Sequence, residues 1–288
     1  MARRPNRRRR RLAVAAALAG AAVGGFALLA HQSEAMFEAS VGIEHLDAVG
    51  VPRRWLDGPD GLRLSYFERG DPARGRVVYV HGSPGDANNW SAYVRDPVGG
   101  MQSISYDRPG FGQTTPGAAL PSLADQARAM APFLAAPGPK AVLVGHSLGG
   151  PIVAAAALAQ PDRVAGLVIA AGSLDPALER WAWFNRAADL AALRLLLPAA
   201  WRHSNDEIRT LKEELDALGA RLGELAVPVI VVHSRDDRLV PFANVDYLRR
   251  RLPPATLEAV VALDDKDHFV IWNAADVVRD AIARLADR

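Results

Sequence analysis

From Val51 onward the apolar positions alternate between two rhythms. Continuous apolar runs recur at "RVVYVHG" (Arg76 to Gly82), "KAVLVGHS" (Lys140 to Ser147), "VAGLVIAAG" (Val164 to Gly172), "VPVIVVHS" (Val227 to Ser234) and "TLEAVVALD" (Thr256 to Asp264). An unbroken apolar run of this length predicts a strand buried on both faces. "LRLSYFERG" (Leu62 to Gly70) instead alternates apolar with polar, which predicts a half-buried strand that Asp71-Pro72 interrupts. "MQSISYD" (Met101 to Asp107) is a weaker strand. Between the runs lie segments of helical period: "SLADQARAMAPFLAA" with Ser122 as N-cap, "GGPIVAAAALAQ", and the closing "FVIWNAADVVRDAIARLADR". Strands alternating with helices predict an α/β chain: a mostly parallel sheet with helices on both faces.

One stretch departs from the alternation. Residues 174–226 contain no buried strand, only two helical patterns separated by Pro198, and carry Trp181, Trp183, Phe184 and Trp201. This predicts a helical lid inserted between two sheet strands. Its aromatics either pack it onto the body or line an apolar pocket.

The first 35 residues follow another logic. Residues 1–11 hold seven arginines and no acid, and Leu12 to Ala30 is an uncharged apolar run of 19 residues. A basic start before an apolar run is the pattern of an export or anchoring segment. It is either retained as a bacterial-type inner-membrane anchor or cleaved, with "SEA" before Met36 as the candidate site. The arginines would remain cytoplasmic and the following chain would face outward. Charge supports the division into residues 1–35 and a domain from 51 to 288. Without the seven arginines, 27 of the 34 basic residues stand against 32 acidic ones. A mildly acidic body argues against a nucleic-acid surface. The absence of cysteine excludes disulfides and thiolate metal sites.

The candidate chemistry sits at the strand ends, where sheets of this class place their sites. His81, Asp107, Ser147, Asp236, Asp237 and His268 all follow apolar runs. In "GHSLG" (Gly145 to Gly149) a serine lies between glycines at a strand-to-helix junction. Such a turn exposes a nucleophilic hydroxyl and sets it beside the N–H groups of the next helix. A lone motif of this kind also fits a packing turn, so partners decide. Of the seven histidines, only His268 falls between the last strand and the last helix. His146 neighbours the serine along the chain and points elsewhere, His233 reads as a packed histidine, and His203 as a solvated lid residue. A base needs a carboxylate to orient it, and "HSRDDRLVP" offers both Asp236 and Asp237.

Four motifs taken together, "HGSPG", "YDRPGFG", "GHSLGG" and "SRDDRLVP" with "DHF", resemble the α/β-hydrolase superfamily, in its branch with a short helical lid. The resemblance runs from about Val51 to the C-terminus. It implies Ser147 as nucleophile and His268 as general base. Asp237 is implied as the orienting acid, chosen over Asp236 by its spacing to Pro241. The backbone N–H groups of Ser83 and Leu148 are implied as the oxyanion hole, with the Ser83 hydroxyl as a conceivable third donor. His81, Asp107, Arg108 and Gly110 are implied to be architecture. Ser234 stands where glycine is usual, and Asp267 precedes the histidine as a solvated charge. A serine at the elbow sets the chain apart from relatives that use aspartate, the haloalkane dehalogenases and epoxide hydrolases. The expected function is hydrolysis of a small-molecule carboxylic ester through an acyl-enzyme, with no metal or organic cofactor required. Peptidase, C–C hydrolase, lactonase and perhydrolase activities on the same scaffold are its rivals, as is a binding protein without turnover.

Overall fold

The computed structural model describes residues 38–287, together with Gln32 and Met36. The expected address segment, residues 1–35, therefore lies outside the described residues apart from Gln32. Among the described residues, no helix is long and apolar enough to cross a membrane.

The sheet has eight strands: β1 (Arg54–Asp57), β2 (Arg63–Arg69), β3 (Asp71–Val80), β4 (Met101–Tyr106), β5 (Ala141–His146), β6 (Val164–Ala170), β7 (Val229–Ser234) and β8 (Leu257–Leu263). Their spatial order is β1-β2-β4-β3-β5-β6-β7-β8. The β1–β2 and β2–β4 pairs are antiparallel and the others parallel. β2, whose sequence alternates, sits on the antiparallel side. Four of the continuous apolar runs form the parallel centre as β3, β5, β6 and β7, whereas the fifth, β8, is the sheet edge and is half-buried throughout, covered by a neighbour on one side only.

Two apolar layers enclose the sheet. In β5, Val142 and Val144 face one layer and Leu143 the other, as a period of two requires. The first layer packs α2 (Leu123–Ala135), α3 (Gly149–Ala159) and the buried faces of α6 (Ala199–Gly219) and α7 (Ala243–Arg251) against Val78, Leu143 and Val231. The second packs α1 (Ser91–Arg95), α8 (Val270–Asn273) and α9 (Ala275–Ala286) against Tyr79, Val144 and Val232. The hydroxyl of Tyr93 in α1 donates to the Ile271 carbonyl in α8 at 2.8 Å. The predicted cap of α2 is present: Ser122 Oγ accepts from the Asp125 N–H at 3.3 Å.

Three elements differ from the sequence expectation. The closing helix is two helices, split at Ala274, whose φ of −142° leaves the helical region. β2 ends at Arg69, ahead of Asp71-Pro72 as expected, but β3 begins at Asp71 and not at Arg76, because the register shifts between Asp71 and Arg76 and absorbs the proline. Residues ahead of Val51 also pack on the body. Leu46 is fully buried with Phe67 and Val94, and its N–H donates to Asn88 Oδ1 at 2.9 Å.

Between β6 and β7 the chain forms α4 (Trp183–Ala188), α5 (Ala191–Arg194) and α6. Along α6 the residues Ser204, Glu207, Leu211, Leu215 and Leu218 are buried, spaced three or four apart on one face. Trp183 and Phe184 of α4 and the residues flanking α5, Leu190 and Leu195, are exposed to solvent.

Candidate active site at the strand ends

The turn from β5 into α3 is dictated by glycine. A Cβ on Gly145 would lie 2.2 Å from the Gly149 carbonyl oxygen, and one on Gly149 would lie 2.3 Å from the Val80 carbonyl oxygen. No side chain fits at either position. Between them Ser147 adopts φ +54°, the left-handed region. A non-glycine residue held there stores about 1–3 kcal/mol of strain. The turn is pinned by the Ser147 N–H, which donates to Ala170 O at 3.0 Å, and by the Gly150 N–H, which donates to Ser147 O at 2.9 Å. Ser147 is half-buried at the positive end of α3.

The loop after β3 passes beside this turn. A Cβ on Gly82 would come within 2.9 Å of Ser147 Cβ. The backbone N–H groups of Ser83 and Leu148 flank the serine, and among the described residues no acceptor engages either of them. Leu148 is buried and Ser83 half-buried, on two neighbouring loops, and amides left without a protein acceptor are sites where another group can accept.

His268 and Asp237 are brought together as the sequence predicts. His268 Nδ1–H donates to Asp237 Oδ2 at 2.8 Å, and both side chains are buried. Asp237 Oδ1 accepts the N–H groups of Leu239 and Val240 at 2.9 and 2.8 Å. Burial alone would raise the Asp237 carboxyl. Hydrogen bonds from His233 and His268 and from the Val240 amide outweigh it and hold the group well below the usual carboxylate range. Asp236 faces elsewhere and accepts the Asp265 N–H at 3.2 Å. No hydrogen bond joins Ser147 Oγ to His268 in this resting arrangement. A cavity of about 500 Å³ opens beside His268, lined in part by Leu239, Phe269 and Lys266; Ser147 does not line it.

The other histidines have distinct places. His146 Nε2–H donates to the His268 carbonyl at 3.0 Å, its ring 4.8 Å from that of His268. Burial, then the neighbouring His268, lowers the pKa of His146 to about 3, so it is neutral support beneath the candidate base. His81 Nδ1–H donates to Gly82 O at 2.8 Å and its Nε2 accepts the Arg108 N–H at 3.1 Å. Burial, then the Arg108 charge, keeps His81 neutral. His233 is packed as expected, its Nε2–H on Val240 O at 2.9 Å, but it also lies 3.5 Å from Asp237 Oδ2. His203 is not a solvated residue: its Nδ1–H donates to Gly110 O at 2.5 Å, tying α6 to the body. Asp267 is exposed, as expected, and accepts from the Phe269 N–H at 2.9 Å and from Asn273 Nδ2 at 2.7 Å.

Sequence reasoning missed Glu207. Fully buried on α6, its Oε1 accepts from Arg108 Nη1 and Gln126 Nε2, both at 2.5 Å, and its Oε2 accepts from Ser83 Oγ at 2.5 Å. The Ser83 hydroxyl is thereby committed to Glu207 and is not a third oxyanion donor. Arg108 is a link between body and α6 rather than turn architecture alone. The signal was present: Glu207 is in helical phase with Leu211, Leu215 and Leu218, a charge on an apolar stripe.

No group of three or more metal-ligating side chains occurs among the described residues. The arrangement suits attack by a serine hydroxyl with a carboxylate-oriented imidazole at hand, and known proteins bear out its lineage. A sequence profile described as the alpha/beta hydrolase fold matches residues 75–217. The provisionally named carbamate hydrolase RutD of Variovorax paradoxus is 31% identical over 229 residues, 67% of this chain and 85% of that protein. A 2-hydroxy-6-oxononadienedioate/2-hydroxy-6-oxononatrienedioate hydrolase of Dechloromonas aromatica is 27% identical over 264 residues, 77% of this chain and 90% of that one. An acetyltransferase component of the acetoin cleaving system of Cupriavidus necator matches at 36% over 112 residues, 38% of this chain, which span only 29% of its length. In fold, the monoacylglycerol lipase of Paleococcus ferrophilus superposes with a TM-score of 0.64 at 17% identity, covering 78% of this chain and 98% of that one. With its strand order, its glycine-flanked serine turn and relatives matched over most of their length, this chain belongs to the α/β hydrolase fold family.

Proposed function

We propose that the protein is a serine hydrolase of small carboxylic esters. The observation that carries the proposal is Ser147, held at φ +54° on the turn beside the β3 loop, with the Ser83 and Leu148 amides engaged by no acceptor among the described residues. Ser147 Oγ attacks the ester carbonyl carbon while His268 Nε2 takes its proton. The carbonyl oxygen gains the charge and accepts from the N–H groups of Ser83 and Leu148. Asp237 keeps the His268 proton on Nδ1 and stabilises the imidazolium. Collapse of the tetrahedral intermediate breaks the bond to the alkoxy group, which leaves as the alcohol with the proton from His268. Water, deprotonated by the same imidazole, then releases the acid and regenerates Ser147.

Two relatives are named for other substrates, a carbamate in one case and a 2-hydroxy-6-oxo dicarboxylate in the other. The buried charge argues for the ester over the dicarboxylate. A buried anion needs a cation; Arg108, the buried cation beside the oxyanion loop, is already paired with Glu207, and the cations that line the cavity beside His268, Arg238 and Lys266, are exposed and half-buried. A neutral ester asks for no such partner. The helical segment over residues 174–226 serves in this reading as the lid that selects the acyl group. Residues 1–35 act as an anchor or export segment that places the domain outside the cytoplasm.

Incubating the full-length protein with a fluorophosphonate probe and a panel of short-acyl esters, carbamates and vinylogous 1,5-diketo acids tests the proposal. Labelling at Ser147 with turnover of esters is the expected result. Labelling with turnover confined to the diketo acids or carbamates would replace the ester reading, and no labelling would remove the serine mechanism.

A further inference from the structure

The geometry points to Glu207 as a positioning residue that aims the oxyanion donor of the β3 loop through Arg108, making that donor depend on the seating of α6. The inference rests on the serine-hydrolase reading and adds a residue that the motifs do not contain.

One peptide unit carries the donor. The N–H of Ser83 and the C=O of Gly82 belong to the same peptide, and that peptide is not one of the two cis bonds among the described residues. A trans peptide is planar, so the direction of its C=O fixes the direction of its N–H, opposite and in plane. The Gly82 oxygen accepts two hydrogen bonds at 2.8 Å, from His81 Nδ1 and from Arg108 Nη2. These two donors decide where the Ser83 N–H points. His81 follows β3 directly and is held by the body. Arg108 takes its orientation from Glu207, which accepts from Nη1 at 2.5 Å and from Nη2 at 3.2 Å in a forked pair. The pair is excluded from water, with both side chains at most 1% exposed. A guanidinium buried there without its carboxylate would carry an uncompensated charge and would turn away from Gly82 O towards water or another acceptor.

Glu207 holds the same peptide from its other side. Ser83 Oγ donates to its Oε2 at 2.5 Å, so one carboxylate fixes the Ser83 side chain directly and the Gly82 carbonyl indirectly. Gln126 of α2 completes the cluster, donating to Glu207 Oε1 and accepting from Arg108 Nη1 at 3.0 Å. The carboxylate that closes this cluster comes from α6, the long helix of the insertion, whereas the peptide it aims belongs to the sheet. When α6 is seated, the Ser83 N–H is aimed. When α6 lifts, the fork opens and the aim is lost. A second carboxylate on the same face, Glu214, accepts the Leu123 N–H at 2.8 Å and fixes the helix to α2 at a different point.

The test compares Glu207→Gln and Arg108→Lys with wild type in the full-length protein. Each is assayed for kcat and KM on a short-acyl ester and for affinity towards a boronic acid that mimics the tetrahedral intermediate. Glutamine keeps the shape and removes the charge; lysine keeps the charge and removes the fork. Loss of an oxyanion donor outright costs about 10²–10³ in kcat. Misaiming one should cost about 10- to 100-fold, with KM within about threefold and boronate affinity falling in step with kcat. The double variant should be no worse than the weaker single, because both act through one peptide. A role confined to stability would lower Tm and leave the kcat and the boronate affinity of the folded protein unchanged, which overturns the inference. So would additive losses in the double variant. Should Glu207→Gln not accumulate folded, Arg108→Lys carries the same comparison. A wild type that the fluorophosphonate does not label sinks the parent reading and this one with it. A labelled wild type whose variants keep full kcat sinks this one alone.

Discussion

At the scale of single residues, the site separates chemistry from support. Ser147→Ala should abolish ester turnover and fluorophosphonate labelling while leaving the fold intact, since the hydroxyl makes no hydrogen bond that the fold needs. Asp237→Asn should lower kcat by about 10⁴, as expected when the imidazole loses the carboxylate that sets its tautomer; steady-state kinetics on a short-acyl ester checks both. His146 makes a different prediction, about pH. Its folded pKa of about 3 lies below the ordinary 6.5, so between these values the unfolded chain binds the proton that the folded chain refuses. Its contribution to stability is complete above pH 6.5 and is lost progressively as pH falls towards 3. The loss approaches about 1.4 kcal/mol per pH unit at most. Asp86 works in the opposite sense, because burial and then Asp107 raise its pKa to about 6, which favours the fold at low pH. The whole-protein slope mixes these two with His81 and Asp237, which are also held below their ordinary values, and a variant isolates one. Denaturant midpoints between pH 7 and 4.5 should fall more steeply for wild type than for His146→Gln. Parallel lines for the two proteins would contradict the assignment.

At the scale of elements, the β5–α3 turn admits no side chain at either of its glycines. Gly149→Ala places a methyl 2.3 Å from the Val80 carbonyl, a backbone atom that cannot swing aside. The fold should lose about 1–3 kcal/mol or more, seen as a fall in Tm of about 5–10 °C, and the serine turn should lose its labelling. Trp183→Ser is the contrast. With that ring 79% exposed on α4, stability should change by no more than about 0.5 kcal/mol by the same calorimetric measurement. The sequence discloses elements of the first kind better than the second. β3, β5, β6 and β7 are continuous apolar runs because both their faces are covered, and that pattern is local. The serine turn is legible for the same reason, since its glycines stand two residues either side of Ser147. β1 escapes because its four residues, "RWLD", bury no face fully and show no period. The split at Ala274 escapes because the apolar spacing continues through it. Glu207 escapes because its partners lie 81, 99 and 124 residues away along the chain. A glutamate in a charged helix resembles a solvated one until the fold brings Arg108 beneath it.

At the scale of the whole molecule, the chain divides by charge and by packing at different places. Charge changes after residue 11, but the packed body starts before Val51. The Leu46 side chain fills a pocket with Val51, Phe67, Ala87 and Val94, and the Glu44 N–H donates to Ser91 Oγ at 3.3 Å. Two truncations should therefore behave differently. A chain starting at Met36 keeps every contact of Leu46. It should retain the Tm of the full-length domain and its kcat/KM on short-acyl esters within about twofold, because no residue of the proposed chemistry lies upstream. A chain starting at Val51 exposes Phe67 and Val94 and vacates a buried leucine site, at a cost of about 2–5 kcal/mol. Its Tm should drop accordingly, although the same triad is present. Cell fractionation adds the second axis. The full-length chain should sediment with membranes or appear outside the cytoplasm, and the chain from Met36 should remain in the soluble cytosolic fraction. Recovery of both in the cytosol would overturn the reading of the arginine-rich start and its apolar run, and would leave the packing argument for Leu46 intact, because the two rest on separate residues.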